Sequence, residues 1–161
     1  MNKNVIGLIR VSTNLQSEEN GGTSLEFQKN KLEQYAVLND LKLTKVICDI
    51  ASGGLENREG IVELENDIKD GSVDSVLVYN VSRCFRSMIL FGKFYEFLKK
   101  YNVELISTSE GIKSSNSSGE MIFGIMSSIA GYEKDLITER MMSGKITKVK
   151  NGERKFGARL P

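Results

Sequence analysis

Arginine and serine near the end of the first apolar segment are the residues best suited to chemistry. The segment VIGLI (5–9) is followed by Arg10 and, two residues later, by Ser12. A guanidinium binds phosphate oxygens bidentately, so an arginine beside a serine suggests phosphoryl chemistry. The chain has no histidine, which excludes a Ser-His-Asp triad and the commonest general base. Guanidinium groups around a phosphate would stabilise the charge that develops during attack by serine, without a metal.

Arginine is scarce in this chain, with seven arginines against fifteen lysines. Four of the seven stand at predicted strand ends, loops or helix starts: Arg10, Arg58, Arg83 and Arg86. A single arginine is more often a surface or ion-pair residue. The hypothesis is therefore that these arginines converge on one phosphate.

Apolar runs and helical spacings alternate along the first two thirds of the chain. The runs predict strands over 5–9, 42–50, 73–79 and 103–107, and the spacings predict helices over 23–40, 58–71 and 85–101. This order predicts an α/β fold with a mostly parallel central sheet flanked by helices. Ligands collect at the carboxyl ends of such strands, where Arg10, Ser12 and Asp49 are expected.

A long apolar stripe follows the last predicted strand. Ser117 and Glu120 fit a capping box, and apolar residues continue at helical spacing to Val149. The spacing predicts one helix over 118–150, roughly 50 Å long at ~1.5 Å per residue. Two helices broken near Gly131 or Gly144 are the alternative. A helix of that length exceeds a small sheet, so a second copy of the chain is the simplest partner for its surplus apolar surface.

Composition narrows the class of protein. The 161 residues suit one domain, and the two cysteines, Cys48 and Cys84, are expected to be free thiols in a reducing cytoplasm. No apolar stretch is long enough for a membrane span, and no signal peptide is evident, so we expect a cytoplasmic protein.

Residues 141–161 carry a net charge of +5 and the other 140 carry −4. Such a basic end predicts contact with nucleic acid, although a solvated tail remains the alternative.

Several segments together resemble the catalytic domain of the serine recombinases, the resolvase and invertase family. They include LIRVST (8–13), SRCFRS (82–87) and YEKDLITER (132–140), in the family's order and over nearly the whole chain. The insertion SEENGGTS (17–24) resembles the large serine recombinases of mobile elements, such as transposons. The resemblance implies a site-specific DNA recombinase, with double-stranded DNA as partner and a homodimer that becomes a tetramer in the synaptic complex.

The resemblance also assigns roles to residues. The implied catalytic set is Ser12, Arg10, Arg83, Arg86, Arg58 and Asp49. The implied supporting set is Gln16, Gln28, Ser52, Ser82, Glu133, Glu139 and Arg140. The implied DNA contacts are Lys145, Lys148, Lys150 and Arg154. Ser82 stands where much of the family has an acidic residue, so the general acid or base stays open.

The implied reaction begins when Ser12 attacks a backbone phosphate and forms a 5′-phosphoserine link. Four protomers cleave two duplexes, half of the assembly rotates, and the 3′-hydroxyls rejoin the strands. The resemblance implies no cofactor and no metal, because the ester conserves the bond energy.

The expected organisation is an α/β catalytic core over 1–117, a long oligomerisation and DNA-contacting helix over 118–150, and a basic linker over 151–161. The linker would lead to a DNA-binding domain that this chain lacks. Three alternatives remain: a non-catalytic α/β DNA-associated module of the same fold, a metal-dependent nuclease that uses Asp49 and Asp74, and a small-molecule-binding α/β protein. This sequence has no G-x-G-x-x-G loop, which argues against the last of these alternatives.

Overall fold

The computed structural model of the chain describes residues 3–12, 24–51, 59–85 and 87–150. It describes the backbone alone for three of the residues named above, which are Ser12, Glu133 and Lys150. Five others lie outside the described residues, as does the expected linker over 151–161: Gln16, Ser52, Arg58, Arg86 and Arg154.

A five-stranded sheet forms the centre of the described part of the chain, with the strand order β2-β1-β3-β4-β5. The strands are β1 (Asn4–Ser12), β2 (Lys42–Ala51), β3 (Ser75–Val78), β4 (Glu104–Ser107) and β5 (Ile112–Lys113). β1 to β4 pair in parallel, and β5 pairs antiparallel to β4. The predicted α/β fold with a mostly parallel sheet is confirmed.

Helices cover the two faces of this sheet unequally. They are α1 (Leu25–Leu38), α2 (Glu59–Lys69), α3 (Val81–Cys84), α4 (Met88–Lys100) and α5 (Ser117–Lys150). On one face, Leu32 of α1 packs in a core with Val5 and Ile9 of β1. On the other face, Leu8 of β1 joins a larger core to which α2, α3, α4 and α5 all contribute. The apolar run of β1 is therefore buried on both sides, as parallel strands require.

Two short elements, α3 and β5, are not predicted by the sequence. They have four and two residues, which is too few for a period to appear. The helix predicted over 85–101 begins later, at Met88, because the Ser87 side chain accepts a hydrogen bond from the Leu90 N–H at 3.3 Å and caps it.

Helix α5 runs without interruption for 34 residues, so the single long helix is confirmed and the break near Gly131 or Gly144 is wrong. The predicted capping box is also wrong. Asn116 caps the helix instead, because its Oδ1 accepts from the Gly119 N–H at 2.7 Å. A Cβ at residue 119 would lie 2.0 Å from the Lys113 carbonyl oxygen, so only glycine fits at this approach to β5.

The two halves of α5 have different surroundings. Phe123 is fully buried, and its ring lies 5.9 Å from that of Phe91 and 5.5 Å from that of Tyr95, both on α4. Farther along, Tyr132 is 65% exposed and Met141 is 59% exposed. None of the helices in the described ranges, α5 included, has a segment long and apolar enough to cross a membrane.

Candidate active site

The carboxyl ends of β1 and β3 meet at the point where the chain changes direction across the sheet. From β1 the chain passes through α1 to β2 on one side, and it then returns through α2 to β3 on the other side. Ligands bind at such a switch in open α/β sheets, outside the carboxyl ends of the strands. We call this side of the sheet the carboxyl edge and the opposite side the amino edge.

Arg10 and Ser12 lie where β1 reaches the carboxyl edge. Arg10 is paired with Asp49 in the register of the two parallel strands, and Ser12, the last residue of β1, is paired with Ala51. Paired residues of neighbouring strands share a face of the sheet, so the Arg10 guanidinium and the Asp49 carboxylate lie on the same face. Both side chains are half-buried. The structure thus brings a guanidinium, a carboxylate and the backbone of Ser12 together.

Helix α3 packs against the same end of β1. Cys84 is buried, and its Sγ donates to the carbonyl oxygen of Leu8 at 3.4 Å. Burial raises the pKa of the Cys84 thiol to about 12, while the positive charge of Arg10 lowers that pKa and the negative charge of Asp49 raises it, both by less than burial does. Arg10 and Asp49 therefore lie close enough to the last residue of α3 for their charges to influence its thiol.

Arg83 immediately precedes Cys84 in α3, and its side chain is exposed. The structure therefore places Arg83 on a short helix that is anchored beside Arg10. Arg58 and Arg86, the other two arginines of the predicted cluster, lie outside the described residues. Convergence of all four arginines on one phosphate stays a prediction.

Gln28 connects the beginning of α1 to the end of β1. Its side chain is buried, with 3% exposed, and its Nε2 donates to the carbonyl oxygen of Arg10 at 3.3 Å. Ser24 caps α1 by accepting from the Phe27 N–H at 3.1 Å, which places Gln28 in the first turn. Gln28, which is predicted to be a supporting residue, thus contacts the backbone of Arg10.

Ser82 belongs to the first turn of α3. Its hydroxyl donates to Asn80 Oδ1 at 2.6 Å, and its backbone N–H donates to the same oxygen at 2.9 Å. Asn80 is therefore the N-cap of α3. In this arrangement the proton of the Ser82 hydroxyl is directed at Asn80, so Ser82 helps to form the helix that carries Arg83.

The predicted supporting and DNA-contacting residues of α5 lie between the middle of the helix, at Glu133, and its end, at Lys150. Glu139, Arg140, Lys145 and Lys148 have exposed side chains. Lys145 and Lys148 are three residues apart and so share one side of the helix. The helix itself packs against α4 and β5. These residues are accessible to a partner from solvent.

Asp49 and Asp74, the two carboxylates of the nuclease alternative, lie at opposite edges of the sheet. Asp74 Oδ2 accepts from the N–H of Asn4, the first residue of β1, at 2.8 Å. Asp49 is paired with Arg10, six residues farther along β1 and thus about 20 Å away. The described residues include no group of three or more side chains that could hold a metal ion. The nuclease alternative is wrong, because these carboxylates cannot share a metal.

Sequence reasoning missed three residues around α3: Asn80, Cys84 and Glu110. Glu110 Oε2 accepts from the N–H of Val81, the first residue of α3, at 3.4 Å. Asn80, two residues before Ser82, was a usable cap signal for α3. The contact made by Glu110 had no sequence signal, because it joins residues 29 positions apart.

Similarity to known proteins identifies a family for this chain. Residues 5–154 match the family model described as Resolvase, N terminal domain. The chain is 29% identical over 140 residues to the transposon Tn917 resolvase of Enterococcus faecalis, a match that covers 87% of this chain and 68% of the relative. It is 29% identical over 157 residues to the DNA-invertase of Escherichia phage P1, covering 98% of this chain and 75% of that protein.

Two solved structures have the same fold and similar sequences. A resolvase family site-specific recombinase from Streptococcus pneumoniae superposes with a TM-score of 0.75 and 31% identity, covering 92% of this chain and 99% of that one. The N-terminal catalytic domain of TP901-1 integrase gives a TM-score of 0.70 and 32% identity, covering 83% of this chain and 98% of that one. The chain therefore belongs to the resolvase family of site-specific recombinases, whose N-terminal domain it matches over most of its length.

Proposed function

We propose that this chain cleaves and rejoins double-stranded DNA through a covalent intermediate on Ser12. The observation that carries the proposal is the meeting of Arg10, Asp49 and the Arg83-bearing helix α3 at the strand end where Ser12 stands. The names of the relatives, which include a resolvase and a DNA-invertase, support DNA as the substrate.

The proposed reaction exchanges one phosphodiester for another. The Ser12 oxygen attacks the phosphorus, the bond from phosphorus to the 3′-oxygen breaks, and the proton lost by the serine is matched by one gained at the 3′-hydroxyl. The product is a 5′-phosphoserine ester. Attack by a 3′-hydroxyl on that ester reverses every bond change, so strand joining needs no external energy source.

Arginines supply the electrostatic part of this mechanism. Arg10 and Arg83 bind the non-bridging oxygens, whose charge grows in the transition state, and a fork-shaped donor suits that geometry. Asp49 lies on the same face as Arg10, and its carboxylate would support the site there. Gln28 fixes the Arg10 backbone. By family resemblance, Arg58 and Arg86 complete the phosphate-binding set.

The distal half of α5 supplies the proposed contacts between subunits and with DNA. Ile137 is 48% exposed and Met141 is 59% exposed, which leaves apolar surface that a second copy of the chain would cover. The exposed Lys145 and Lys148 would contact phosphates, which adds affinity and salt dependence without sequence preference. We therefore propose a homodimer that pairs into a tetramer on two duplexes.

Trapping of the intermediate tests the chemistry. A DNA sequence that the protein binds is first selected from random DNA. The whole protein encoded by the gene is then incubated with nicked duplexes of that sequence, and the products are separated under denaturing conditions. Wild type should give a covalent protein–DNA band, and Ser12→Ala should give none. Ser72→Ala is the matched control, because this serine donates to the Asp67 carbonyl oxygen at 2.9 Å on the loop before β3, at the amino edge.

Tight DNA binding by wild type without any covalent band would contradict the proposed chemistry. That result would favour the non-catalytic DNA-associated module instead. Cleavage that survives Ser12→Ala would assign the nucleophile to another group.

The subunit contact has a separate test. Ile137→Asp should weaken self-association at least about tenfold in sedimentation experiments, because it would bury a charge in the contact. Leu38→Asp is the matched control, since Leu38 is an exposed apolar residue (83%) at the end of α1. Equal effects of the two variants would argue against α5 as the contact.

A further inference from the structure

The turn between β4 and β5 extends beyond the sheet and contacts the segment that leads into α3. The Thr108 N–H donates to the Val78 carbonyl oxygen at 2.9 Å, and the Ser109 N–H donates to the Tyr79 carbonyl oxygen at 2.9 Å. The pairing of β3 with β4 is thus prolonged past both strand ends. Gly111, at φ +65°, closes the turn in a conformation that favours glycine.

Glu110 in this turn binds the beginning of α3. Its Oε2 accepts from the Val81 N–H at 3.4 Å and also from the Ser107 hydroxyl. Ser107 is fully buried at the end of β4, so its hydroxyl holds the carboxylate in a fixed place. The first N–H groups of a helix have no partner within the helix, so the carboxylate satisfies a group that would otherwise need water.

A second contact from the same turn reaches the cap of α3. Asn80 Nδ2 donates to Ser109 Oγ at 3.2 Å, while Asn80 Oδ1 receives both hydrogen bonds from Ser82. The amide of Asn80 therefore joins the turn to the helix. Glu110 and Ser109 together hold the first turn of α3 from the side of β4.

Helix α3 depends on such external contacts because it has only four residues. A helix this short forms too few internal hydrogen bonds to offset the entropy of ordering it. Glu110 holds its first residue, and the hydrogen bond from Cys84 to Leu8 holds its last residue. Ser82 and Arg83 stand between these two anchors with exposed side chains.

We infer that Glu110 is a positioning residue for Arg83, acting through α3 and without touching DNA itself. This inference rests on the proposed function, since it assumes that Arg83 binds the reacting phosphate. The carboxylate fixes the position of α3 on the sheet, and that position determines where the Arg83 guanidinium can reach. No sequence motif points to this role, because it arises from the turn after β4.

Two variants of Glu110 and one of Glu104 test the inference. Glu110→Ala removes the acceptor, so the rate of covalent-adduct formation at saturating protein should fall about tenfold. Glu110→Gln keeps an oxygen that can accept from Val81 and Ser107, so its rate should stay within about threefold of wild type. DNA affinity should change little in either variant, because Glu110 makes no proposed DNA contact.

Glu104→Gln is the matched control. Glu104 is the first residue of β4, at the opposite edge of the sheet from the turn that holds Glu110, and its Oε2 likewise accepts from a serine, Ser75, at 3.2 Å. Its substitution should lower stability and leave the cleavage rate of the folded protein unchanged. If Glu110→Ala cleaves at the wild-type rate, or if Glu104→Gln slows cleavage equally at the same folded fraction, the inference is overturned.

Hydrogen exchange separates this inference from the proposed function. In the absence of DNA, Glu110→Ala should speed exchange of the Val81 N–H about tenfold relative to wild type, and Glu110→Gln should not. If wild type forms no adduct, the proposed function fails, and the exchange rates alone decide whether Glu110 holds α3. Unchanged exchange in Glu110→Ala would overturn the positioning role in either case.

Discussion

The two edges of the sheet use charged side chains in different ways. At the amino edge, the Glu104 carboxylate accepts from Lys3 Nζ at 2.9 Å, from Ser75 Oγ at 3.2 Å and from the Ser115 hydroxyl. These partners come from the start of the chain, from β3 and from the segment before α5. The charge of Glu104 is therefore used to join separate parts of the fold.

At the carboxyl edge, the contacts fix the backbone and leave functional groups accessible. Gln28 binds the Arg10 carbonyl, Cys84 binds the Leu8 carbonyl, and Glu110 binds the Val81 N–H. The side chain of Arg83, which lies between Val81 and Cys84 in α3, is exposed. One edge therefore contributes to stability through its charges, whereas the other is proposed to keep its cations for a ligand. Substitutions at the two edges should therefore affect different measurements.

Arg10→Ala should give the largest effect, on the rate of adduct formation. It should therefore show the difference between the roles of the two edges most clearly. Loss of a guanidinium that is proposed to bind the reacting phosphate should slow adduct formation by about 10³-fold or more. Arg10→Lys keeps the charge and loses the fork, so we expect a smaller but still large loss. The measurement is single-turnover formation of the covalent band, with circular dichroism to show an intact fold. An Arg10→Ala protein that cleaves at a rate near wild type would remove Arg10 from the site.

The elements that sequence could predict are those with long patterns. The apolar run of β1 and the repeat that becomes α5 extend over many residues, so local spacing alone identifies them. The cap of α5 could not be chosen in the same way, because both Asn116 and Ser117 are good capping residues. Asn116 is the cap because its N–H donates to the Lys113 carbonyl, at the end of β5, at 3.3 Å. The two residues of β5 are too few to form a periodic pattern, so the sequence does not reveal this contact.

The candidate site was predictable only in part, for a related reason. Arg10 and Asp49 could be placed together, because parallel strands align their carboxyl ends. The anchoring of Arg83 could not be predicted, since it depends on the contacts of Cys84 with Leu8 and of Glu110 with Val81. Each joins residues far apart in the chain, and neither leaves a local pattern.

Glu104→Gln should give the second largest effect, and it should affect stability alone. Burial would raise the pKa of Glu104, but the hydrogen bonds from Ser115, Lys3 and Ser75 and the charge of Lys3 outweigh it, so the pKa lies below its ordinary value of 4.5. The folded state therefore favours the charged form. The substitution should lower the free energy of unfolding by about 1–2 kcal/mol near neutral pH.

The pH dependence of this loss follows from the sign of the pKa shift. A carboxylate with a lowered pKa in the folded state contributes stability above its unfolded pKa of about 4.5, and the contribution disappears as pH falls through the folded pKa. Urea unfolding of wild type and Glu104→Gln should therefore differ near neutral pH and converge in acid. A difference that stays constant down to about pH 3 would contradict the stabilising role of the charge.

Cys84→Ala should give a smaller loss of stability, on the carboxyl edge. It removes a buried thiol and its hydrogen bond to the Leu8 carbonyl, which should lower the free energy of unfolding by about 1 kcal/mol. Cys48→Ala is the control, because Cys48 is half-buried on β2 and packs against the core on the α1 face. Chemical denaturation measures both variants. If Cys48→Ala lowers the free energy of unfolding as much as Cys84→Ala does, the hydrogen bond from Cys84 to Leu8 adds no stability of its own.

Lys3→Ala should give the smallest effect and tests the amino edge from its exposed side. The Lys3 side chain is 54% exposed while its partner Glu104 is 11% exposed, so solvent screens the ion pair and the expected loss is about 0.5 kcal/mol. Lys3 immediately precedes β1, and Arg10 lies near the carboxyl end of that strand. The Lys3 variant should lose a little stability and no cleavage activity, the reverse of the Arg10 variant. A Lys3→Ala protein that cleaves slowly while fully folded would show that the amino edge also contributes to cleavage.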